Sequence, residues 1–279
     1  MAILLLLLIM YVPVFVHWVN GWLYKTISIE HEYFSHGLIG FPFAIYILWL
    51  QRDKWRELPD QNHPLWLGLI TLGGVFYLTG LTDWVNLSFP IILIGICGFL
   101  KGIPGLKLQF FPLLLVVLAT PNQIPYLISP YSLPLQRFIA SVAGFILIQF
   151  GLNVTVEEIY LFVGGRIVEV APFCAGLKML FTNLYVTMML LYWTDAWRSR
   201  LNVFLMIIGT IIISVTGNII RNTFLTYFHG TGKEDLFRWL HEGWGGDVYS
   251  ACQLGAIMLL IHLIQNWLPQ IIKKYELNQ

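Results

Sequence analysis

Val168-Glu169-Val170-Ala171-Pro172-Phe173-Cys174-Ala175-Gly176-Leu177-Lys178 joins a polar segment, residues 154–165, to a long apolar run, residues 177–193. It reads as the mouth of a membrane helix, with Pro172 helping to start that helix and a cysteine just inside it. The unpaired N–H groups of a helix N-terminus favour a thiolate, and Lys178 adds positive charge one turn on, on the same face. These are the conditions for a nucleophile. The plain alternative is a cysteine that packs small at a helix start.

Composition carries the membrane reading to the whole chain. Of the 279 residues, 57% are hydrophobic and only 11% charged, with a mean hydropathy of +0.72. A soluble domain carries about 25% charged residues. Apolar runs recur along the length, so the expectation is an all-α, polytopic membrane protein with about eight transmembrane helices, forming one domain over residues 1–279. A net charge of +1, with basic residues grouped at the ends of apolar runs, argues for ordinary topology signals and against nucleic acid. The cysteines, Cys97, Cys174 and Cys252, form no CxxC, and Cys97 and Cys252 lie inside apolar runs. The N-terminus is apolar from the start, without a basic n-region or a small-residue cleavage site, and reads as a first membrane helix.

Taken in order, residues 2–22, 38–50, 65–81 and 87–100 read as spans, with a loop over residues 82–86. The basic stretch Arg52-Asp53-Lys54-Trp55-Arg56 and Lys101 and Lys107 mark the cytoplasmic side, which puts Glu30-His31-Glu32 outside. His31 and His36 are five apart, so they do not form the i,i+4 pair of a zinc helix. Residues 110–120 start back across the membrane, and Pro121, Pro125, Pro130 and Pro134 break anything helical beyond them. Residues 135–151 are apolar again. Arg198 and Arg200 require the cytoplasm at the end of the 177–193 helix, so Cys174 lies outside, and the proline-rich stretch must be broken or re-entrant. Two β-prone runs around Gly164-Gly165 predict a short hairpin that delivers the chain to Cys174. A helix over residues 201–216 ends outside at Asn218 and Arg221. A polar loop, residues 228–247, holds His241, and residues 248–268 form the last span before Lys273-Lys274.

Three side chains at external helix ends have complementary chemistry. An arginine at the membrane boundary is expensive unless it has a partner or a task, although a long side chain can also snorkel to the headgroups. Asn218 and Arg221 are i,i+3, on one helix face. A thiolate needs an acid or base such as His241, and a tetrahedral oxyanion needs a fixed cation such as Arg221. No metal or organic cofactor is required for this set. Asp83, Asp247 and Glu169 read as loop solvation, and the aromatic residues as an interfacial belt.

Cys174-Ala175-Gly176-Leu177, Asn218-x-x-Arg221 and His241 shortly before Gly245, in this order, resemble the exosortase/archaeosortase family. Tyr33-Phe34-Ser35-His36-Gly37 followed by Phe41-Pro42-Phe43 is similar to that family's opening segment, so the resemblance covers nearly the full chain. Ala171-Pro172-Phe173-Cys174-Ala175-Gly176 departs from the commoner Cys-Ser-Gly and looks most like the cyanobacterial branch. The resemblance implies a cysteine protease/transpeptidase of the plasma membrane with an extracytoplasmic active site. Its partners would be exported proteins bearing a PEP-CTERM-like C-terminal signal: a short motif, an apolar helix, then a basic cluster. By the same carry-over, Cys174 forms a thioester, Arg221 stabilises charge and His241 moves the proton. Asn218 and Lys178 would support them, and a lipid or glycan could accept the new C-terminus.

A rival from another class is a transporter or channel whose Arg221, His241 and Asp247 line a polar path. Transport sites tend to lie at the bilayer midplane, whereas these groups sit at helix ends on one side. A third reading is a membrane scaffold, insensitive to single changes at Cys174, Arg221 or His241.

Overall fold

The computed structural model describes residues 2–23, 33–171, 176–241 and 243–267, and their internal contacts divide the chain into two compact units, Met1–Leu127 and Ile128–Gln279. Cys174 and its neighbours 172, 173 and 175, the segment Glu30-His31-Glu32, Glu242 and Lys273-Lys274 lie outside the described residues.

The first unit comprises α1 (Ala2–Leu23), α2 (Gly37–Leu50), α3 (Arg52–Glu57), α4 (Leu65–Leu78), α5 (Thr82–Leu108) and α6 (Phe110–Ala119). Its core is aromatic: Tyr11, Phe15 and Trp18 of α1, Phe41 of α2 and Phe89 of α5 meet at ring separations of 4.8–6.3 Å. Each such pair contributes about 0.5–1.5 kcal/mol beyond the area that it buries. Trp18 donates to Asn86 Oδ1 at 2.7 Å, and Tyr11 hydrogen-bonds Ser88, so the polar tips of this cluster are satisfied inside an apolar bundle. Glycine lets α4 and α5 close to backbone contact. A Cβ on Gly73 would stand 2.4 Å from Ile92, and one on Gly98 2.4 Å from Trp66. The predicted loop over residues 82–86 is instead the first turn of α5, with Asp83 at the N-terminal end where a carboxylate is favoured. Lys101 and Lys107 also belong to α5, on either side of a break at Gly102 (φ 62°), and Lys101 is held by Asp60 at 2.8 Å.

The proline-rich stretch departs from expectation. Only Thr120 to Gln123 is non-helical; α7 (Ile124–Ile128), a 3₁₀ turn (Ser129–Ser132) and α8 (Leu133–Gln149) follow without a gap. Pro125, Pro130 and Pro134 each stand second in their segment. A first-turn N–H has no intrahelical partner, so proline costs nothing there and its fixed φ favours the helix.

In the second unit, α8 leads into a meander of β1 (Val154–Glu157), β2 (Tyr160–Val163) and β3 (Arg166–Glu169), all antiparallel. The expected hairpin is β2–β3. Gly164 and Gly165, at φ 58° and 77°, supply the two left-handed residues of its turn. β1 adds a strand that the Gly-Gly signal did not reveal. The sheet packs on α8 through Ile139, Ala143 and Leu147 against Val154, Leu161 and Val170.

The rest is helical: α9 (Leu177–Trp193), α10 (Arg200–Gly230), α11 (Glu234–His241) and α12 (Trp244–Asn266). Two expectations are corrected here. The helix expected over residues 201–216 runs on to Gly230, so Asn218 and Arg221 lie within a helix rather than at its end. The expected loop over residues 228–247 contains α11 and the start of α12. Both extensions follow from packing: the second half of α10 is covered by α8, the sheet and α11, which satisfies a segment too polar to span alone. Among the described residues, four helices are long and apolar enough to cross a membrane, at Thr82–Leu108, Ile124–Gln149, Arg200–Gly230 and Trp244–Asn266, beside several shorter apolar ones.

Candidate active site

α10 is the spine of the second unit. Thr210, Ser214, Asn218, Asn222 and Thr226 recur every fourth residue and are all buried, forming one polar stripe on an otherwise apolar helix. In an apolar bundle such a stripe is stable only where partners meet it. Thr187 of α9 pairs with Thr210 at 2.7 Å. Asn183 of α9 donates both to Ser214 of α10 at 2.8 Å and to Gln253 of α12 at 2.9 Å, clipping three helices together. Interhelical bonds of this kind contribute about 0.6–2 kcal/mol each in membranes.

The stripe ends at the predicted site residues. α9 begins from Gly176, whose φ of 78° is left-handed, and whose α-carbon is pressed on Asn218. A Cβ there would lie 2.6 Å from Asn218 Cγ and 2.7 Å from its Nδ2. Two residues after Cys174, therefore, the backbone touches the buried Asn218. Lys178 lies in the first turn of the same helix, half-buried.

Arg221 is one turn beyond Asn218. Its Nη2 donates to the main-chain carbonyl of His241 at 3.4 Å, while its buried Nε has no acceptor among the described residues. A Cβ on Gly246 would come within 3.8 Å of Nη2, so the first turn of α12 also reaches this arginine. Counted from Leu201, twenty residues at 1.5 Å each cover about 30 Å, the thickness of the hydrocarbon core. Arg221 thus stands about one hydrocarbon-core thickness along α10 from Arg200.

The structure brings Arg221 to the backbone carbonyl of His241. The His241 ring, at the end of α11, lies parallel to Phe237 at a centroid distance of 5.2 Å and 9° between planes. Two helix N-termini, those of α9 and α12, converge on the Asn218–Arg221 turn. The site is therefore rich in N–H donors and positive partial charge, suited to a developing anion. Asp247 lies in the first turn of α12, and among the described residues the buried polar groups of α9, α10 and α12 are neutral amides and hydroxyls. That is not the string of charges that a transport path across the bilayer would use. Among the described residues no group of three or more His, Cys, Asp and Glu side chains could hold a metal ion.

Sequence reasoning missed several residues. Tyr249 of α12 donates to the Gly217 carbonyl one turn below Arg221, and Gln253, four residues on, takes the Asn183 bond. Gln136 of α8 is 3% exposed and its Nε2 has no acceptor among the described residues. The four-residue spacing from Thr210 to Thr226 was the available signal for the stripe. The partners on α9 and α12 come from far along the chain and carry no comparable pattern.

Neither a curated protein sequence nor a solved structure gives a significant match. The family model described as transmembrane exosortase (Exosortase_EpsH) matches residues 18–258, a range that takes in Cys174, Asn218, Arg221 and His241. With its series of long apolar helices, this multi-pass membrane chain belongs to the transmembrane exosortase family.

Proposed function

We propose that the chain is a cysteine transpeptidase of the plasma membrane that removes a C-terminal, PEP-CTERM-like sorting signal from exported proteins on the extracytoplasmic side. The observation that carries this reading is the seating of Gly176 on Asn218, one helical turn from Arg221. It limits how far Cys174, two residues earlier in the chain, can stand from a guanidinium whose buried Nε has no acceptor among the described residues. Family membership supports a membrane protein-sorting role. The arginines at the start of α10, opposite Arg221, support the sidedness.

In this scheme the Cys174 thiolate adds to the scissile carbonyl carbon, and the charge on the carbonyl oxygen is met by Arg221 and the N–H groups of the α9 terminus. Collapse of the tetrahedral adduct breaks the C–N bond. His241, as imidazolium, gives its proton to the departing amine and leaves a thioester on Cys174. The neutral imidazole then takes a proton from the acceptor, whose oxygen or nitrogen displaces the thiolate. Lys178 favours the thiolate from the first turn of α9, and Asn218 holds the segment that bears it.

The thioester gives the direct test. Full-length wild-type enzyme, acid-quenched during turnover of a substrate carrying such a signal, should carry a substrate-derived mass on the Cys174 peptide that hydroxylamine removes, and His241→Gln should form that adduct far more slowly. Processing by the wild type with no adduct at any time, and at the same rate by Cys174→Ala, would sink the proposal.

A further inference from the structure

We infer that Arg166, Glu234 and Phe237 are positioning residues that fix the His241 imidazole relative to the nucleophile segment, with β3 as the strut between them. The inference rests on the role given to His241 above. Its starting point is the turn at Gly164-Gly165, which is jammed on the end of α10: a Cβ on Gly164 would stand 2.2 Å from the Gly230 carbonyl oxygen, and one on Gly230 1.9 Å from Val163. Arg166, the first residue of β3, reaches across that joint. Its Nη1 donates to the His229 carbonyl at 3.1 Å and to the Glu234 carboxylate, which lies 3.3 Å from His229 Nδ1. One arginine thereby ties together β3, the last turn of α10 and the first residue of α11.

Glu234 is three residues from Phe237, and Phe237 is four from His241, so all three share one side of α11. The Phe237 ring lies between two imidazoles, 5.1 Å from His229 and 5.2 Å from His241, parallel to the second. A parallel ring restricts the imidazole to rotation in its own plane and covers one of its faces. The opposite end of β3 runs through Val170 into the segment that bears Cys174, and the Val170 N–H is fixed to the Ile159 carbonyl at 2.9 Å. About 13 Å of strand, four residues at 3.3 Å, thus separates the anchor of the histidine helix from the approach to the nucleophile. Reactions of this kind lose rate steeply when the reacting groups are misplaced by an ångström.

A purely structural clamp would behave differently. The side chains of Arg166 and Glu234 are 40% and 41% exposed, and exposed pairs contribute little to global stability. The test measures kcat, KM and the thermal midpoint of the full-length enzyme for Arg166→Glu, Glu234→Arg and the double exchange, with His241→Gln alongside. The single changes should lower kcat at least tenfold with KM and midpoint nearly unchanged, and the double exchange should recover most of the loss. Phe237→Leu should move the histidine limb of the pH–rate profile, while Phe237→Tyr, which keeps the ring, restores it. Wild-type kcat and profile in the single changes and in Phe237→Leu would overturn the inference, as would losses that merely track a fall in the midpoint. Full activity of His241→Gln would instead remove the underlying role of His241.

Discussion

Replacing Gly176 by alanine adds one methyl group at the most constrained contact of the site. The residue has a left-handed φ of 78°, which costs an L-residue roughly 1–2 kcal/mol. The new Cβ would also lie 2.6–2.9 Å from three atoms of Asn218, a side chain only 2% exposed with little room to yield. Overpacking of this kind costs about 1–3 kcal/mol. The sum, about 2–5 kcal/mol, falls on the join between the nucleophile segment and α10, so even its lower end implies a roughly 30-fold loss of assembled site. Reaction of Cys174 with a thiol reagent at neutral pH, followed by mass spectrometry, and substrate processing in cells should both fall by at least that factor. Gly255→Ala is the matched control. It lies within α12 with open space at its Cβ, so alanine there should leave processing intact and stabilise by about 0.5–1 kcal/mol. Wild-type labelling and processing by Gly176→Ala would refute the reasoning, because the contact would then carry no functional load.

Other changes follow from the same geometry. Asn183→Leu strands Ser214 and Gln253 inside the bundle and should cost about 1–3 kcal/mol, seen as a lower thermal midpoint in detergent; adding Gln253→Leu should recover part of it. Gln136→Met removes a buried donor that has no acceptor among the described residues, so the midpoint should hold or rise, by up to ~1 kcal/mol in stability. Arg221→Lys keeps the charge but not the pair of N–H groups, Nη2 toward the His241 carbonyl and a buried Nε with no acceptor among the described residues. Processing should drop more than tenfold, while the protein remains folded by gel filtration.

Much of this was legible because hydrophobicity speaks along the chain. The helices expected at α1, α2, α4, α9 and α12 are found within a few residues of their expected limits, and Gly164-Gly165 announced the β2–β3 turn. The misreadings have physical causes. Pro125, Pro130 and Pro134 read as breakers because position within a helix decides what proline does, and each occupies a first turn. The end of α10 read as a loop because residues 217–230 are polar, and only the covering sheet and α11 make a helix stable there. For the site, residue types and order pointed to Asn218, Arg221 and His241. They did not reveal that Arg221 would meet the carbonyl of His241, that Phe237 would stack on its ring, or that Tyr249 and Gln253 would brace α10 from beneath. Apart from the i,i+4 stack of Phe237 on His241, those contacts join residues 20 to 70 positions apart, and no local pattern encodes them.

The central claim, cysteine-dependent removal of a sorting signal, is tested most directly by intact mass spectrometry of a co-expressed substrate carrying a Pro-Glu-Pro-type tail, with wild-type enzyme and with Cys174→Ala. The account predicts loss of the tail with wild type only, with any added mass on the new C-terminus identifying the acceptor. Loss of the tail to the same extent with Cys174→Ala would contradict it.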